Sequence, residues 1–301
     1  MGESKNFLII GANGLIGQAL AREVDGKYDW KGTYFRRLSA PYLKCNIMDF
    51  RDVVSTLDSV KPTHVVCCAN LAGGVNFCEK NPDLAKRFHF EGIVNLGKSC
   101  LEHHAKLVFL SSECVFDGKK EIYREDDHPN PLNIYGKWKA ESEQWICKHL
   151  TDFTIIRTMF VFGWQPDTVT PNALMKAYFS ISKKEKIYVP AFRWGNPTYV
   201  HDLAKAIVEL SLSQKNDVYH VAGRSYLSRY EWIKKACDIL GWDSSWVYSQ
   251  DRTPKNPPVY SQRICFDTEK FHSQHKTKLH SLDEALAMLK DEIDQTAPCV
   301  H

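Results

Sequence analysis

Short apolar runs alternate with longer segments of helical periodicity through the first half of the chain. The short runs predict buried strands, and the amphipathic segments between them predict helices. The predicted strands cover residues 7–10, 33–35, 64–68, 107–110 and 153–156, and the predicted helices cover 15–24, 53–60, 83–103 and 135–150. Strands separated by helices in this way favour right-handed βαβ units and a parallel sheet.

The pattern changes after Gly163, where tryptophan and proline become frequent. We therefore predict an α/β fold, with a doubly wound parallel sheet of Rossmann type and a smaller interleaved C-terminal lobe. Residues 1–162 are expected to form the nucleotide-binding domain, to which 198–222 return. Residues 163–301 are expected to form most of the substrate-binding lobe.

Composition excludes several classes of protein. The 301 residues carry a net charge of +3 without basic blocks, which argues against a nucleic-acid partner. The apolar stretches are shorter than the roughly 20 residues that span a bilayer, so no membrane partner is expected. The N-terminal segment fits a strand, turn and helix better than a signal peptide, and we expect a cytoplasmic protein. The ten cysteines lack metal-ligand spacing, and no metal site is predicted.

A glycine-rich turn separates the first predicted strand from the first predicted helix. Residues 11–17 read GANGLIG. Glycines at this spacing let the backbone turn tightly and approach a pyrophosphate, while the free amides at the helix start favour its charge. The turn predicts a dinucleotide site with contacts from Gly11, Asn13, Gly14, Leu15 and Ile16.

The end of the second predicted strand bears on the choice of dinucleotide. In NAD-binding proteins an acidic residue at this place holds the ribose hydroxyls. Here Arg36 and Arg37 follow Phe35, and no carboxylate is present. Guanidinium groups hold a 2′-phosphate through charge-assisted, bidentate hydrogen bonds. The sequence therefore predicts NADP(H) as cofactor.

Three further residues form a candidate catalytic set. Tyr135 and Lys139 stand four positions apart at the start of a predicted helix and so share one face. A nearby ammonium stabilises a phenolate, which makes a tyrosine a usable proton donor. Ser112 lies at the carboxyl end of a predicted central strand, where open α/β sheets bind ligands.

This ordered set resembles the extended short-chain dehydrogenase/reductases, and within them the dTDP-4-dehydrorhamnose reductase family. Residues 110–118, LSSECVFDG, resemble the family's STDYVFDG. Residues 131–139, PLNIYGKWK, are similar to its PLNxYGx(S/T)K. Further matches lie at 78–82, 157–158 and 197–204, so the resemblance covers nearly the whole chain.

The resemblance implies a role for each matching residue. Tyr135 would protonate the C4 oxygen of a nucleotide-linked 4-keto-6-deoxyhexose while NADPH delivers hydride to C4. Lys139 would hold the nicotinamide ribose and lower the pKa of the tyrosine, and Ser112 would hydrogen-bond the reacting oxygen. The remaining cofactor contacts would come from Asn46, Ile47, Ala69, Asn70 and Leu71.

Two residues depart from the family pattern. Glu113 and Cys114 replace Asp and Tyr, and they also lack the Asp-Glu pair of sugar-nucleotide 4,6-dehydratases. Cys114 stands where GDP-L-fucose synthase and the plant rhamnose epimerase/reductases carry a cysteine that serves as acid/base in C3/C5 epimerisation. Lys176 aligns with a lysine of the plant enzymes, and both Lys176 and Glu113 are expected to contact the substrate. A bifunctional 3,5-epimerase/4-reductase is therefore an open alternative, and so is a Cys114 that only fills space.

The second lobe and the quaternary structure leave further questions open. Trp164, Arg193 and Trp194 are candidates for contact with a nucleotide base or diphosphate. A non-catalytic, NADP-binding regulatory subunit is a third alternative, because the chain also resembles the beta subunit of eukaryotic methionine adenosyltransferase. The sequence does not decide between a monomer and a homodimer.

Overall fold

The computed structural model describes residues 4–36, 41–168, 170–252 and 259–296. The helices are α1 (Leu15–Val24), α2 (Phe50–Val60), α3 (Gly74–Lys80), α4 (Pro82–Lys86), α5 (Gly92–Glu102), α6 (Ile134–His149), α7 (Ala173–Ser182), α8 (Val200–Ser211), α9 (Arg229–Leu240), α10 (Glu269–Gln274) and α11 (Leu282–Thr296). The strands are β1 (Asn6–Ile10), β2 (Asp29–Tyr34), β3 (Leu43–Lys44), β4 (His64–Cys67), β5 (Lys106–Ser112), β6 (Phe153–Thr158), β7 (Val161–Phe162), β8 (Ile187–Pro190), β9 (Trp194–Gly195), β10 (Thr198–Tyr199), β11 (Asp217–His220), β12 (Leu227–Ser228) and β13 (Val247–Gln250).

Seven of these strands form one sheet in the order β11-β6-β5-β4-β1-β2-β3, and every neighbouring pair is parallel. Alternate residues of β1 face opposite sides, with Leu8 and Ile10 in one apolar cluster and Phe7 and Ile9 in another. Helices cover both faces, which explains why the central strands are apolar throughout. The predicted doubly wound parallel sheet is confirmed.

Two predicted elements differ from the structure. The strand expected at 33–35 starts earlier, at Asp29. The short β3 is an edge strand that the sequence pattern did not predict, because no apolar run marks it. The helix expected at 83–103 consists of α4, a π-helical turn at Arg87–Glu91 and α5. A π-helical turn holds one residue more than an α-helical turn. The helical spacing of apolar residues continues through this segment, so the sequence pattern does not reveal the additional residue.

The C-terminal half contributes to the large sheet and to three two-stranded sheets. Strand β11 pairs with β6 at the edge of the large sheet. The small sheets pair β7 with β10, β8 with β13 and β9 with β12. A separate apolar cluster around Trp232 holds this part together. The domain boundaries given above stay predictions.

All nine cysteines within the described ranges are free thiols. No group of three or more His, Cys, Asp or Glu side chains among the described residues is arranged to hold a metal ion. None of the described helices has both the length and the apolar character needed to cross a membrane.

Candidate active site

The carboxyl end of β5 places Ser112 at the centre of the site. The strand is buried along its whole length, and a short 3-10 turn, Glu113–Val115, follows it. The Ser112 side chain caps this turn, since its Oγ accepts a hydrogen bond from the Cys114 amide at 3.2 Å. The turn therefore brings a carboxylate and a thiol to the same edge of the sheet as the hydroxyl.

Helix α6 starts against this turn because residue 136 is a glycine. A Cβ at Gly136 would lie 2.0 Å from the carbonyl oxygen of Cys114, which is closer than any real contact. Asn133 caps the helix, and its Oδ1 accepts a hydrogen bond from the Gly136 amide at 2.8 Å. The close approach carries Tyr135 into the space beside Ser112.

A buried ion pair fixes the inner face of α6. Arg157 on β6 donates from Nη2 to Glu143 Oε2 at 2.7 Å, and both side chains are almost fully buried. Ser142 donates a hydrogen bond to the carbonyl oxygen of His89 in the π-helical turn. Helix α6 carries Tyr135 and Lys139, and these contacts fix it on two sides.

Tyr135 and Lys139 share one buried face of α6, as predicted. Lys139 Nζ donates to the Leu110 carbonyl oxygen at 2.7 Å and lies 5.7 Å from the centroid of the Tyr135 ring. Burial lowers the pKa of Lys139 to about 8. Burial raises the pKa of Tyr135 well above its usual value, and the neighbouring Cys114 and Glu113 add to the shift.

The direction of the tyrosine shift differs from the one that the resemblance implied. The resemblance implied that Lys139 lowers the pKa of Tyr135, whereas desolvation of the phenolate raises it in the structure. Tyr135 is therefore a neutral phenol with a proton to donate. A Tyr135 phenolate would need a bound ligand, or the charges that the ligand carries, to stabilise it.

Glu113 connects Ser112 to a pair of arginines. Ser112 Oγ donates to Glu113 Oε2 at 2.5 Å, and Arg193 Nη2 lies 3.5 Å from Glu113 Oε1. Arg193 and Arg229, called the arginine pair below, both lie over the Phe160 ring, at 5.4 Å and 4.2 Å from its centroid. The Nε atoms of both arginines are buried and have no hydrogen-bond partner among the described residues.

Arg229 is the residue that the sequence analysis missed. It begins α9, at the N-terminal end of a capping box formed by Ser228 and Glu231, and no motif marks its side chain as functional. Burial and the neighbouring Arg193 lower the pKa of Arg229 to about 9. Two guanidinium groups beside one carboxylate leave an excess of positive charge in this part of the site.

Cys114 is buried beside Glu113, and burial raises the pKa of its thiol to about 12. The thiol is therefore protonated at neutral pH. Lys176 lies exposed on α7, and no hydrogen bond or ion pair among the described residues joins it to Cys114. The epimerase alternative stays a hypothesis. It would require Cys114 to act as acid/base although burial makes its thiol hard to ionise.

The predicted pyrophosphate site, the glycine-rich turn, combines a close backbone approach with an uncapped helix start. Gly11 has φ +83°, and a Cβ there would lie 2.9 Å from Ala69 Cα, so β1 and β4 leave no room for a side chain. Gly14 precedes α1 without a side-chain cap. No hydrogen bond from the amides of Leu15 or Ile16 occurs among the described residues. These amides would hold a phosphate. The carbonyl oxygen of Asn13 accepts a hydrogen bond from Gln18 Nε2.

The other predicted cofactor residues surround the same end of the sheet. Arg36 is exposed, with its guanidinium 5.8 Å from the Phe35 ring centroid, and Arg37 lies outside the described residues. Asn46 Oδ1 accepts a hydrogen bond from the Met48 amide, which shapes the turn after β3. Ile47 and Leu71 are buried, and Asn70 is exposed.

The two predicted tryptophans lie in the C-terminal half and are partly buried, and Trp164 packs against the apolar cluster around Trp232. Trp164 packs edge to face on Tyr178, with centroids 4.9 Å apart. Trp194 packs on Tyr226 at 5.7 Å, and Arg263 lies over its ring. Their roles toward a substrate stay predictions, since both rings already have aromatic partners.

Comparison with known proteins places this arrangement in a family. A family model described as the RmlD substrate binding domain matches residues 5–294. Methionine adenosyltransferase 2 subunit beta of Danio rerio is 28% identical over 263 residues, which cover 83% of this chain and 78% of that protein. The spore coat polysaccharide biosynthesis protein SpsK of Bacillus subtilis is 31% identical over 258 residues, which cover 84% of this chain and 87% of that protein.

The fold agrees with these relatives. The structure of dTDP-4-dehydrorhamnose reductase from Bacillus anthracis, in complex with NADP, superimposes with a TM-score of 0.85 and 25% identity. The match covers 96% of this chain and 99% of the Bacillus chain. The predicted resemblance to the dTDP-4-dehydrorhamnose reductases is confirmed, and the chain belongs to the RmlD substrate binding domain family within the extended short-chain dehydrogenase/reductases.

Proposed function

We propose that this protein reduces the C4 ketone of a nucleotide-linked 4-keto-6-deoxyhexose with NADPH. The observation that carries the proposal is the assembly of Ser112, Tyr135 and Lys139 in one buried cluster, at the same end of the parallel sheet as the glycine-rich turn. A proton donor, a lysine and a dinucleotide turn are the parts that a carbonyl reduction requires from the protein.

The cofactor would bind along the carboxyl edge of the sheet. The amides at the start of α1 would hold its pyrophosphate, and Arg36 would hold the 2′-phosphate. Lys139, about one helical turn after Tyr135 on α6, would contact the nicotinamide ribose. NADPH supplies the hydride for the ketone carbon when it is bound.

The protein's own residues handle the proton and the charge. Tyr135 donates its phenolic proton to the ketone oxygen, and its raised pKa ensures that the proton is present at neutral pH. The Lys139 ammonium stabilises the phenolate that this transfer leaves. Burial of the cluster excludes water, so each of these interactions is stronger than it would be in solvent.

The arginine pair favours a substrate with two negative charges. Arg193 and Arg229 outnumber the single carboxylate of Glu113, and their buried Nε atoms are donors without a partner among the described residues. A diphosphate offers acceptor oxygens at the spacing that guanidinium groups bind best. This supports a sugar attached to a nucleoside diphosphate as the ligand.

A non-catalytic, NADP-binding subunit is the second candidate. The observation that favours it is the similarity to methionine adenosyltransferase 2 subunit beta over 83% of the chain. A subunit of this kind would bind NADP(H) and would not turn over a sugar, even with its Ser, Tyr and Lys in place.

Purified protein incubated with NADPH and a panel of 4-keto-6-deoxy nucleotide sugars tests both candidates. The reductase predicts loss of NADPH absorbance with wild-type protein and a rate about 10³-fold lower with Tyr135→Phe, which removes the phenolic hydroxyl and with it the proton donor. NADPH binding should be equal in both proteins. Tight NADPH binding without turnover of any sugar in the panel would instead support the subunit.

A further inference from the structure

The backbone holds the two members of the arginine pair side by side. Arg193 directly precedes β9, and Arg229 directly follows β12. Trp194 and Ser228 are partners in this antiparallel pair of strands, and the Arg229 amide donates a hydrogen bond to the Arg193 carbonyl oxygen at 2.9 Å. Like charges that face each other across antiparallel strands repel. The fold therefore brings together two cations that need compensating partners.

The described residues supply only part of this compensation. Arg193 is buried, and its Nη2 lies 3.5 Å from Glu113 Oε1. No ion pair joins the Arg229 side chain to a carboxylate in the described part of the chain. The Nε atoms of both arginines are buried, and neither has a hydrogen-bond partner within the described ranges. The pair thus presents buried donors of the kind that an anion binds.

The ring of Phe160 lies against both cations. Its centroid is 5.4 Å from the guanidinium carbon of Arg193 and 4.2 Å from that of Arg229. Tyr260 adds a second ring over Arg193, at 4.3 Å. The face of an aromatic ring carries partial negative charge and attracts cations. A guanidinium over a ring still offers its N–H groups to an anion, so Phe160 offsets part of the repulsion without using these donors.

The position of the Phe160 ring is fixed at the expense of its backbone. Phe160 has φ +47°, a left-handed conformation that bulky residues rarely adopt. A Cβ at Gly195 would lie 2.8 Å from Phe160 Cε2, so the ring occupies the space that this glycine leaves. Trp232 on α9 lies almost parallel to the ring, with centroids 6.3 Å apart. Backbone strain of this kind persists where the surroundings enforce it, and it is concentrated at ligand sites.

We propose that Phe160 is a positioning residue, which holds the two guanidinium groups together for the diphosphate of the ligand. The ring acts through Arg193 and Arg229, and no contact of its own with the reacting atoms is required. The inference rests on the proposed function in one respect, because it takes a nucleoside-diphosphate sugar to bind the arginine pair. It adds a determinant of ligand affinity that the cofactor site at the glycine-rich turn does not share.

Calorimetric titration of the NADP⁺-loaded protein with dTDP-glucose, and separately with inorganic pyrophosphate, measures the role of the ring. Phe160→Leu keeps an apolar side chain but removes the aromatic face, so the Kd of both ligands should rise about tenfold. The Kd of NADP⁺ should change by less than about twofold, because the ring does not act on the cofactor site.

Phe162→Leu is the matched control. Phe162 is buried in the same apolar cluster and packs on Trp232 with centroids 5.5 Å apart, but no guanidinium among the described residues lies over its ring. The substitution should cost a similar loss of packing and change the Kd of each ligand by less than about twofold.

A double-mutant cycle separates positioning from a general loss of packing. If the ring acts through the arginines, Phe160→Leu should raise the Kd of dTDP-glucose about tenfold in the wild type but only about threefold in an Arg229→Met protein. A ring that only fills space would have the same effect in both proteins, because its contribution would not depend on Arg229.

A fluorinated ring tests the same point with little change of shape. Difluorophenylalanine at position 160 carries less negative charge on its face, so it holds a cation more weakly, and the Kd of dTDP-glucose should rise about threefold. The positioning role is wrong if both fluorination and Phe160→Leu leave the Kd unchanged, or if Phe160→Leu costs as much without Arg229 as with it. It is also wrong if the wild type binds neither dTDP-glucose nor pyrophosphate.

The outcomes distinguish this inference from the proposed reductase. Turnover of a 4-keto sugar, with Kd values that do not depend on Phe160, would contradict the positioning role and leave the reductase intact. Binding of pyrophosphate that depends on Phe160, without turnover of any sugar in the panel, would contradict the reductase and support the positioning role.

Discussion

The imidazole of His89 meets the ring of Tyr135 edge to face, with centroids 5.0 Å apart and an angle of 88° between the planes. His89 belongs to the π-helical turn Arg87–Glu91 and is buried. Burial, helped by the nearby Lys139, lowers the pKa of His89 well below its usual value. Its Nε2 has no hydrogen-bond partner among the described residues, so a neutral ring supports the tyrosine at the cost of an unsatisfied nitrogen.

This contact predicts opposite effects for two substitutions at position 89. His89→Phe keeps an aromatic ring against Tyr135 and removes the unsatisfied nitrogen, so the free energy of unfolding should be equal to or about 1 kcal/mol above that of the wild type. His89→Ala opens a cavity and should lower it by about 3 kcal/mol. Urea unfolding of both variants measures the difference. Equal destabilisation by Phe and Ala would show that Nε2 has a structural partner.

Arg36 is expected to distinguish NADPH from NADH. Arg36→Ala removes a charged donor to the 2′-phosphate, so the Kd for NADPH should rise about tenfold or more, and the Kd for NADH should change little. Fluorescence titration with each dinucleotide measures both constants. Arg51→Ala, another exposed arginine close in sequence, serves as the control. Equal weakening of both dinucleotides by Arg36→Ala would contradict the assignment of the 2′-phosphate site.

NADPH affinity should fall as the pH rises through the pKa of Lys139. Burial lowers this pKa to about 8 in the free protein, and an anionic cofactor beside the lysine favours its protonated form. The bound state therefore holds more protons than the free state, and the Kd should rise about tenfold between pH 7 and pH 9. Lys139→Met should bind more weakly at all pH values and lack this dependence. A wild-type Kd that does not change over this range would mean that the lysine stays charged.

The close approach at Gly136 predicts that even a methyl group is not tolerated. Gly136→Ala forces α6 away from the turn that carries Cys114 and should lower the free energy of unfolding by about 3 kcal/mol. Gly26→Ala is the matched control, because Gly26 has φ +70° and open space around it, and should cost about 1 kcal/mol of backbone strain. Thermal or denaturant unfolding measures both. A Gly136→Ala protein as stable as the control would show that α6 can shift freely.

The burial of Cys114 predicts a reductase without epimerase activity. Because burial raises the pKa of the thiol to about 12, Cys114 is protonated at neutral pH and is a poor base for a carbon-bound proton. Reduction in D₂O should therefore place no deuterium at C3 or C5, and Cys114→Ser should keep most of the reductase activity. Mass spectrometry and NMR of the product measure the label. Deuterium at either carbon that disappears in Cys114→Ser would establish the epimerase/reductase alternative.

Local sequence determined the sheet, the glycine-rich turn and the candidate catalytic set. Apolar runs separated by amphipathic segments predict parallel strands and helices, because burial on both faces requires that pattern. The spacing of Tyr135 and Lys139 places both on one helix face before any tertiary contact is known. Gly11 stands between a predicted strand and a predicted helix, and a glycine at this place indicates a close approach of the backbone. These features depend on neighbours within a few residues, so the chain itself reveals them.

Only the tertiary structure brought Glu113 together with the arginine pair. Arg193 and Arg229 lie 80 and more residues along the chain from the carboxylate, in segments without a recognisable motif. The packing of the C-terminal half on the sheet determines their distance to it. The direction of the Tyr135 shift and the state of Cys114 also depend on this packing, because desolvation is a property of the surroundings in space. The sequence by itself determined which groups are available, and the tertiary structure decided their charges and partners.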